Sequence, residues 1–247
     1  MSDDVVIRVS GVGKRYARVH EKPMLLRDMV FLLGAKRRVV DELWALRDVS
    51  FEVTRGETFG ILGPNGSGKS TLLSLLAGTS FPSEGTASTR GRVSPLLELG
   101  AGFSEDMTGE ENIIVNAGLL GLTAREAEQK MQAVVDFAEL GHVIDTPIRQ
   151  YSSGMKARLG FAIAMHVSPD VLVIDEVLAV GDIRFQEKCR IEIDKKRAQG
   201  VTTVMVEQNP DAIGARCDRA LWLRDGRVQN VGPAADVAAE YAAAMTG

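Results

Sequence analysis

The strongest chemical signal in the sequence is a glycine-rich loop that contains one lysine. Residues 63–70 read Gly-Pro-Asn-Gly-Ser-Gly-Lys-Ser, between an apolar run at 59–62 and an apolar segment that ends near Gly78. A strand before the loop and a helix after it form the context of the Walker A phosphate-binding pattern. Glycines let successive backbone N–H groups point at a phosphate, and the helix N-terminus adds its positive end. The predicted nucleotide-binding residues are Gly63, Pro64, Asn65, Gly66, Ser67, Gly68, Lys69, Ser70 and Thr71.

Four side chains are predicted to act on the phosphates, a metal ion and water. Lys69 would place its charge between the β- and γ-phosphates, and the Ser70 hydroxyl would bind Mg²⁺. The run "VLVIDE" delivers Asp175 and Glu176 to the carboxyl end of a buried strand, where α/β sheets bind ligands. Asp175 would hold Mg²⁺ directly or through water, and Glu176 would polarise the attacking water as a general base. The sequence therefore predicts hydrolysis of a nucleoside triphosphate.

A second anion site is predicted at the turn "YSSGM", which precedes a long apolar helix. Ser152, Ser153 and Gly154 would present a hydroxyl and free N–H groups at a positive helix end. An ordinary serine N-cap is the alternative, and both roles can hold at once.

The surrounding pattern predicts an α/β fold. The runs "VLVID" and "TTVMVE" flank a helical segment, which is the βαβ rhythm of a parallel sheet, and Asp225-Gly226 suits a hairpin turn. Residues 108–140 have a helical period, with a Thr123/Glu126 capping box and an end at Gly141. Residues 22–43 read as an amphipathic insertion between strands, either an interfacial element or a helix packed on the sheet.

Composition bounds the classes of function. The chain has 247 residues, 25 % of them charged, with a formal net charge of −4, which gives no global attraction to nucleic acid. Two cysteines without metal-type spacing suit a reducing cytosol. We find neither a signal-peptide pattern nor about 20 consecutive apolar residues, so a cytosolic chain of one domain is expected.

The order of these features resembles the ATP-binding cassette (ABC) ATPases over nearly the whole chain. The resemblance implies one P-loop cassette over 1–247, with a mixed sheet, an antiparallel β subdomain and an inserted helical subdomain at about 98–160. It implies ATP and Mg²⁺ as ligands, and a head-to-tail homodimer in which Ser152–Gly154 bind the ATP of the second subunit. It also implies that segment 179–182 contacts that subunit and that Tyr16 stacks on adenine; strand-edge packing of Tyr16 and stacking by Trp44 are alternatives.

Two positions depart from the usual pattern of these ATPases. Glu98 stands where most members have glutamine, and it could still coordinate Mg²⁺ or water. Gln208 stands where most have histidine, so it could bond the γ-phosphate without carrying positive charge, and slow hydrolysis is expected.

The segments "LLELGAGF", "TGEENI" and "YSSGM" look like those of bacterial polysaccharide exporters. This likeness implies an ATPase peripheral to the cytoplasmic face of the inner membrane. It would drive export of a lipid-linked polysaccharide, of O-antigen, teichoic acid or galactan type, through a separate integral membrane permease of two subunits. The alternatives are an ATP-dependent clamp or regulator with slow turnover, and the ATPase of another ABC transporter class.

Overall fold

The computed structural model describes residues 4–20, 39–97, 99–100, 102–175 and 181–246. The strands of these ranges are β1 (Val5–His20), β2 (Val39–Thr54), β3 (Thr58–Leu62), β4 (Glu84–Thr89), β5 (Val93–Leu96), β6 (Val171–Ile174), β7 (Thr202–Val206), β8 (Arg219–Arg224) and β9 (Arg227–Pro233). The α-helices are α1 (Lys69–Leu76), α2 (Gly109–Leu119), α3 (Ala124–Ala138), α4 (Ser153–His166), α5 (Ile183–Ala198), α6 (Pro210–Arg216) and α7 (Ala234–Thr246). Glu98, Glu176, residues 22–38 and residues 179–180, which carry sequence predictions, lie outside the described ranges.

The first sheet is antiparallel, with strand order β2-β1-β4. β1 and β2 pair from Val5↔Thr54 to His20↔Val39, whereas the pairing of β1 with β4 stops at Gly13. Beyond Gly13 the two long strands therefore continue as a two-stranded ribbon. The prediction of an amphipathic insertion over 22–43 is wrong for residues 39–43, because their backbone pairs with β1 as part of β2.

The second sheet is mixed, with order β5-β6-β7-β3-β8-β9. The five neighbouring strands β5, β6, β7, β3 and β8 pair in parallel. The last strand, β9, is antiparallel to β8 and follows it through the turn at Asp225-Gly226. All residues of β3, β6 and β7 are buried, as expected for central strands covered on both faces. The predicted α/β class, the βαβ unit around α5 and the hairpin are confirmed.

Three apolar clusters hold these layers together. The first lies between the two sheets and includes α1, with Phe51 and Phe59 stacked at 5.1 Å between ring centroids. The second joins the mixed sheet to α4, α5, α6 and α7. The third joins α2, α3 and α4. Each cluster buries one face of its elements, so the phosphate loop is anchored through β3 and α1 in the first cluster.

The helical part agrees with the sequence pattern except at one end. Both α2 and α3 start with a capping box, and the predicted box of Thr123 and Glu126 is confirmed. α3 ends at Ala138, before the predicted stop at Gly141, because Glu139 takes the left-handed conformation that closes the helix. In the described ranges, the helices are all too short or too polar to cross a bilayer.

Candidate nucleotide-binding site

The mixed sheet brings three predicted segments to one edge. β6, β7 and β3 are adjacent and parallel, with Ile174 opposite Met205 and Ile61 opposite Val206. The carboxyl ends of parallel neighbours meet at the same edge, where such sheets bind ligands. Asp175 follows β6, Gln208 follows β7, and the phosphate loop follows β3.

The phosphate loop encloses a buried lysine side chain and leads into a helix whose N-cap residue is a glycine. Lys69 is buried, and its Nζ donates to the carbonyl oxygens of Gly63 at 2.7 Å and Pro64 at 3.0 Å. Gly68 is the N-cap of α1, has φ of 105°, and in the described chain makes no side-chain cap hydrogen bond. The positive N-terminal end of α1 thus directly follows the glycine loop, which is the arrangement that binds phosphate.

Ser67 adds a donor that the described residues leave unsatisfied. Its side chain is 2 % exposed, and its Oγ has no hydrogen-bond partner among the described residues. A buried hydroxyl without a partner is unfavourable unless a ligand or water satisfies it. Ser70 and Asn65 are exposed at the mouth of the loop. This arrangement fits a bound phosphate chain with hydroxyls at its side.

Asp175 lies half-buried at the same edge. It lines a cavity of about 230 Å³ together with Glu207, Arg190 and Arg216. Hard oxygen donors such as the Asp175 carboxylate and the Ser70 hydroxyl are the ligands that Mg²⁺ prefers, so the donor set fits this ion. No role was assigned to Glu207 from the sequence. Its position directly after a predicted strand was the feature that could have marked it as a residue of this sheet edge.

The turn after β7 is organised by Glu207. Its Oε1 accepts the N–H groups of Gln208 at 3.1 Å and Asn209 at 3.4 Å, and Asn209 in turn caps α6. Gln208 is exposed beside this turn. The residue can therefore present an amide to the site, but it adds no positive charge there.

The second predicted anion site lies on a different element. Ser152 is the N-cap of α4, and its Oγ accepts the N–H of Met155 at 3.2 Å, so the ordinary capping role is realised. Ser152 and Ser153 are exposed and Gly154 is half-buried. Because α4 packs with α2 and α3, this turn belongs to the helical part of the chain, whereas the phosphate loop belongs to the sheets.

Both candidate aromatic residues lie on the β1–β2 ribbon. Tyr16 is 45 % exposed, and the Lys14 ammonium lies 5.2 Å from its ring centroid. Trp44 is half-buried, with the guanidinium groups of Arg15 and Arg47 at 5.8 Å and 5.3 Å from its ring. Both rings therefore have a cation against them, and Tyr16, the more exposed of the two, offers more open surface to a planar base.

Of segment 179–182, the structure describes Gly181 and Asp182. The Asp182 carboxylate caps α5 by accepting the Phe185 N–H at 2.9 Å, and it pairs with Arg158 of α4 at 2.6 Å. The Phe185 N–H and then the nearby Arg158 charge hold the pKa of the Asp182 carboxyl below its usual value. Segment 181–182 is thereby tied to the helix that starts at Ser153.

A phosphate loop at the centre of a mixed sheet, flanked by an antiparallel sheet and a helical insertion, defines a P-loop nucleotide-binding protein. Residues 46–179 match the ABC transporter family, and the chain belongs to that family of ATP-binding ATPases. The predicted family and the predicted ATPase activity are confirmed.

Two kinds of relative support this assignment. The chain is 44 % identical over 247 residues to the O-antigen export system ATP-binding protein RfbB of Klebsiella pneumoniae, covering 97 % of this chain and 98 % of that one. It is 38 % identical over 241 residues to the Teichoic acids export ATP-binding protein TagH of Listeria innocua, covering 98 % and 71 %. These are members of the polysaccharide exporter group that the sequence resembled.

Solved structures show the same fold. A dimeric structure of a post-hydrolysis state of the ATP-binding cassette MJ0796 bound to ADP and Pi has a TM-score of 0.68 and 21 % identity, covering 92 % of this chain and 98 % of that chain. At this identity the likeness extends to the fold alone.

Proposed function

We propose that this chain is the ATP-binding and ATP-hydrolysing subunit that powers export of a lipid-linked polysaccharide through a separate membrane permease. The cargo is of O-antigen, teichoic acid or galactan type, and the names of the relatives support the first two. One observation carries the proposal. The phosphate loop, Asp175 and Gln208 follow strands that end at one sheet edge, while the turn predicted to bind a second anion, Ser152–Gly154, starts a helix of a separate element.

Two copies of the chain, head to tail, complete each other's sites. The phosphate loop of one subunit holds ATP, and Ser152, Ser153 and Gly154 of the other donate to its γ-phosphate. The start of α4 suits this role because Ser152 and Ser153 are exposed at a positive helix end. Tyr16 stacks on the adenine ring, and segment 179–182 contacts the second subunit.

Each side chain at the sheet edge then has a defined task. Lys69 exchanges the carbonyl oxygens of Gly63 and Pro64 for the β- and γ-phosphate oxygens. Ser70, Asp175 and Glu98 hold Mg²⁺, which neutralises phosphate charge when bound. Glu176 accepts a proton from the attacking water, and the Gln208 amide donates to the γ-phosphate. Because an amide lacks positive charge, turnover is slow.

The free energy of ATP binding and hydrolysis drives a conformational change in a membrane partner. Two permease subunits bind the helical part at about 98–160, and the ATPase stays peripheral at the cytoplasmic face of the inner membrane. Closing of the two ATPase subunits on ATP drives the change in the permease. The lipid-linked glycan contacts the permease, so the ATPase meets it indirectly.

Crosslinking tests the composite site. Asn65 and Ser153 are exposed, so one chain carries Asn65→Cys and a differently tagged chain carries Ser153→Cys. Burial raises the pKa of the native Cys189 and Cys217 thiols to about 12, which keeps them poorly reactive toward a bis-maleimide at pH 7. With Glu176→Gln in both chains to slow hydrolysis, Mg-ATP should produce the mixed product and ADP should not. Crosslinks that are independent of ATP, or none between chains, would refute the composite site.

The clamp or regulator with slow turnover remains a second candidate because Gln208 is uncharged. ATP hydrolysis measured in proteoliposomes with and without the permease separates the two. A permease that raises the rate several-fold supports the exporter, whereas an unchanged low rate supports the clamp.

A further inference from the structure

The hairpin turn between β8 and β9 is bonded to the phosphate loop through the backbone. The N–H of Gly226 donates to the carbonyl oxygen of Ser67 at 3.0 Å, and the N–H of Arg47 donates to the carbonyl oxygen of Gly226 at 2.8 Å. Gly226 therefore lies between the loop and β2 and is bonded to both. We name this pair of hydrogen bonds the Arg47–Gly226–Ser67 bridge.

Gly226 is packed so closely that no larger residue fits. It is buried with φ of 72°, and a Cβ atom there would lie 2.7 Å from the carbonyl oxygen of Ala45 and 3.2 Å from the Cα of Leu46. Such contacts with backbone atoms cannot be relieved by turning a side chain. A substitution must push the turn away from β2, away from the loop, or both.

The strands β2 and β8 also lie in close contact with two glycines of the phosphate loop. A Cβ on Gly68 would lie 2.5 Å from the carbonyl oxygen of Ala45, and a Cβ on Gly63 would lie 2.2 Å from that of Leu223. The backbone of β2 and of the β8 end thus sets the position of both ends of the loop. The loop's own bond, from the Ser67 N–H to Pro64 at 3.2 Å, is internal and fixes no position relative to the sheets.

We propose that Gly226 is a positioning residue for the nucleotide site. It holds the Ser67 carbonyl outward through the bridge, so that the N–H groups that follow, at the start of α1, converge on the phosphates. Preorganised donors bind more tightly than donors that must first be ordered. The proposal rests on the assignment of this loop as the ATP site, and it adds a residue far from the loop in sequence.

The test compares two glycine substitutions that both place alanine at a positive φ. Gly200 also has a positive φ, 84°, but a Cβ there would meet nothing within 4 Å. Gly226→Ala and Gly200→Ala should therefore both lower thermal stability, while only Gly226→Ala changes the loop. We expect the Kd for ATP, measured by displacement of trinitrophenyl-ATP, to rise at least tenfold in Gly226→Ala and less than twofold in Gly200→Ala. The KM for ATP should rise in the same way, with kcat changed less.

Lys69→Ala separates this proposal from the function on which it rests. If Lys69→Ala binds ATP like the unmodified chain, the assigned ATP site is wrong. If Lys69→Ala loses affinity but Gly226→Ala matches Gly200→Ala, the site stands and the role of Gly226 is refuted.

Hydrogen exchange tests the proposal in the unmodified protein, should Gly226→Ala fail to fold. Coupling between two sites is reciprocal, so a bridge that favours ATP binding must itself be strengthened by ATP. Saturating Mg-ATP should slow exchange of the Arg47 and Gly226 amides at least tenfold. The Gly200 amide, bonded to Arg197 at 2.9 Å, is the control and should be unchanged. Equal exchange at Gly226 with and without ATP would overturn the proposal.

Discussion

Removing the Ser67 hydroxyl should stabilise the nucleotide-free protein while weakening its affinity for ATP. The side chain is 2 % exposed, and among the described residues its Oγ has no partner. A buried polar group without a partner costs about 1–3 kcal/mol, and alanine removes that group at the expense of one small contact. We therefore expect Ser67→Ala to gain about 1 kcal/mol in the free energy of unfolding. For a chain of this length that gain raises Tm by roughly 2–4 °C.

Ser94 provides the matched control. It is also fully buried, but its Oγ donates to the carbonyl oxygen of Ala164 at 2.8 Å. Ser94→Ala removes a satisfied hydroxyl and leaves a buried acceptor, so it should lose about 1 kcal/mol and lower Tm. Chemical denaturation and thermal scans without nucleotide should give opposite signs for the two variants.

The same hydroxyl should become useful when ATP is bound. If a phosphate oxygen or a water ordered by it accepts from Ser67, the variant loses about 0.5–1.5 kcal/mol of binding, or roughly two- to tenfold in Kd. The rise in Tm on adding Mg-ATP should accordingly be smaller in Ser67→Ala than in the unmodified chain. A Ser67→Ala protein that is less stable without nucleotide, or that binds ATP more tightly, would contradict the reasoning.

Three further substitutions test other parts of the chain. Gln208→His introduces a group that can carry positive charge at the proposed γ-phosphate position, so kcat should rise about tenfold, equivalent to roughly 1.4 kcal/mol of barrier, with KM unchanged. An unchanged kcat would remove Gln208 from the site. Tyr16→Ala should raise the KM for ATP several-fold, whereas Trp44→Ala should chiefly lower Tm. The opposite result would show that Trp44, and not Tyr16, stacks on the adenine ring. Burial lowers the pKa of His166, so the folded protein binds this proton less readily than the unfolded chain, and stability falls as pH drops below about 6.5. That acid-side loss, measured by urea unfolding at pH 7 and pH 5, should shrink in His166→Gln but not in the exposed control His142→Gln.

The parts of the site that could be predicted from the sequence are those marked by residues that are neighbours in the chain. The loop at 63–71 carries its own conformation, since its glycines, lysine and flanking apolar runs are contiguous. Asp175 and Gln208 could be placed because each follows a buried run, and parallel strands end at a common edge. Ser152 could be recognised as a cap because a serine before an apolar helix has a local geometric reason.

What the sequence did not predict depends on contacts between backbones that are far apart in the chain. Gly226 meets Ser67 and Arg47 through N–H and carbonyl groups, which every residue carries, so no side-chain type marks the bridge. The start of β2 at Val39 was missed because the pairing of residues 39–43 with β1 is a contact between distant backbones, which no side-chain pattern marks. Glu139 closes α3 in a left-handed conformation that is unusual for glutamate, and the sequence favoured the next glycine instead.

The packing of α4 suggests how the phosphate loop and the proposed anion-binding turn at Ser152 would act together. One of its faces, including Leu159 and Ile163, packs in the helical cluster, and another, including Phe161, packs against the mixed sheet. Gly160 lies so close to the segment after β5 that a Cβ there would be 2.6 Å from the Gly100 nitrogen. The exposed turn at Ser152 is therefore the end of a helix that is buried on two faces. Since close-packed interiors transmit strain, we expect α4 to move as one rigid unit. Under the proposed function, the ATP of a second subunit would push on that turn, displace α4 as a unit and move the helical part that is proposed to bind the permease.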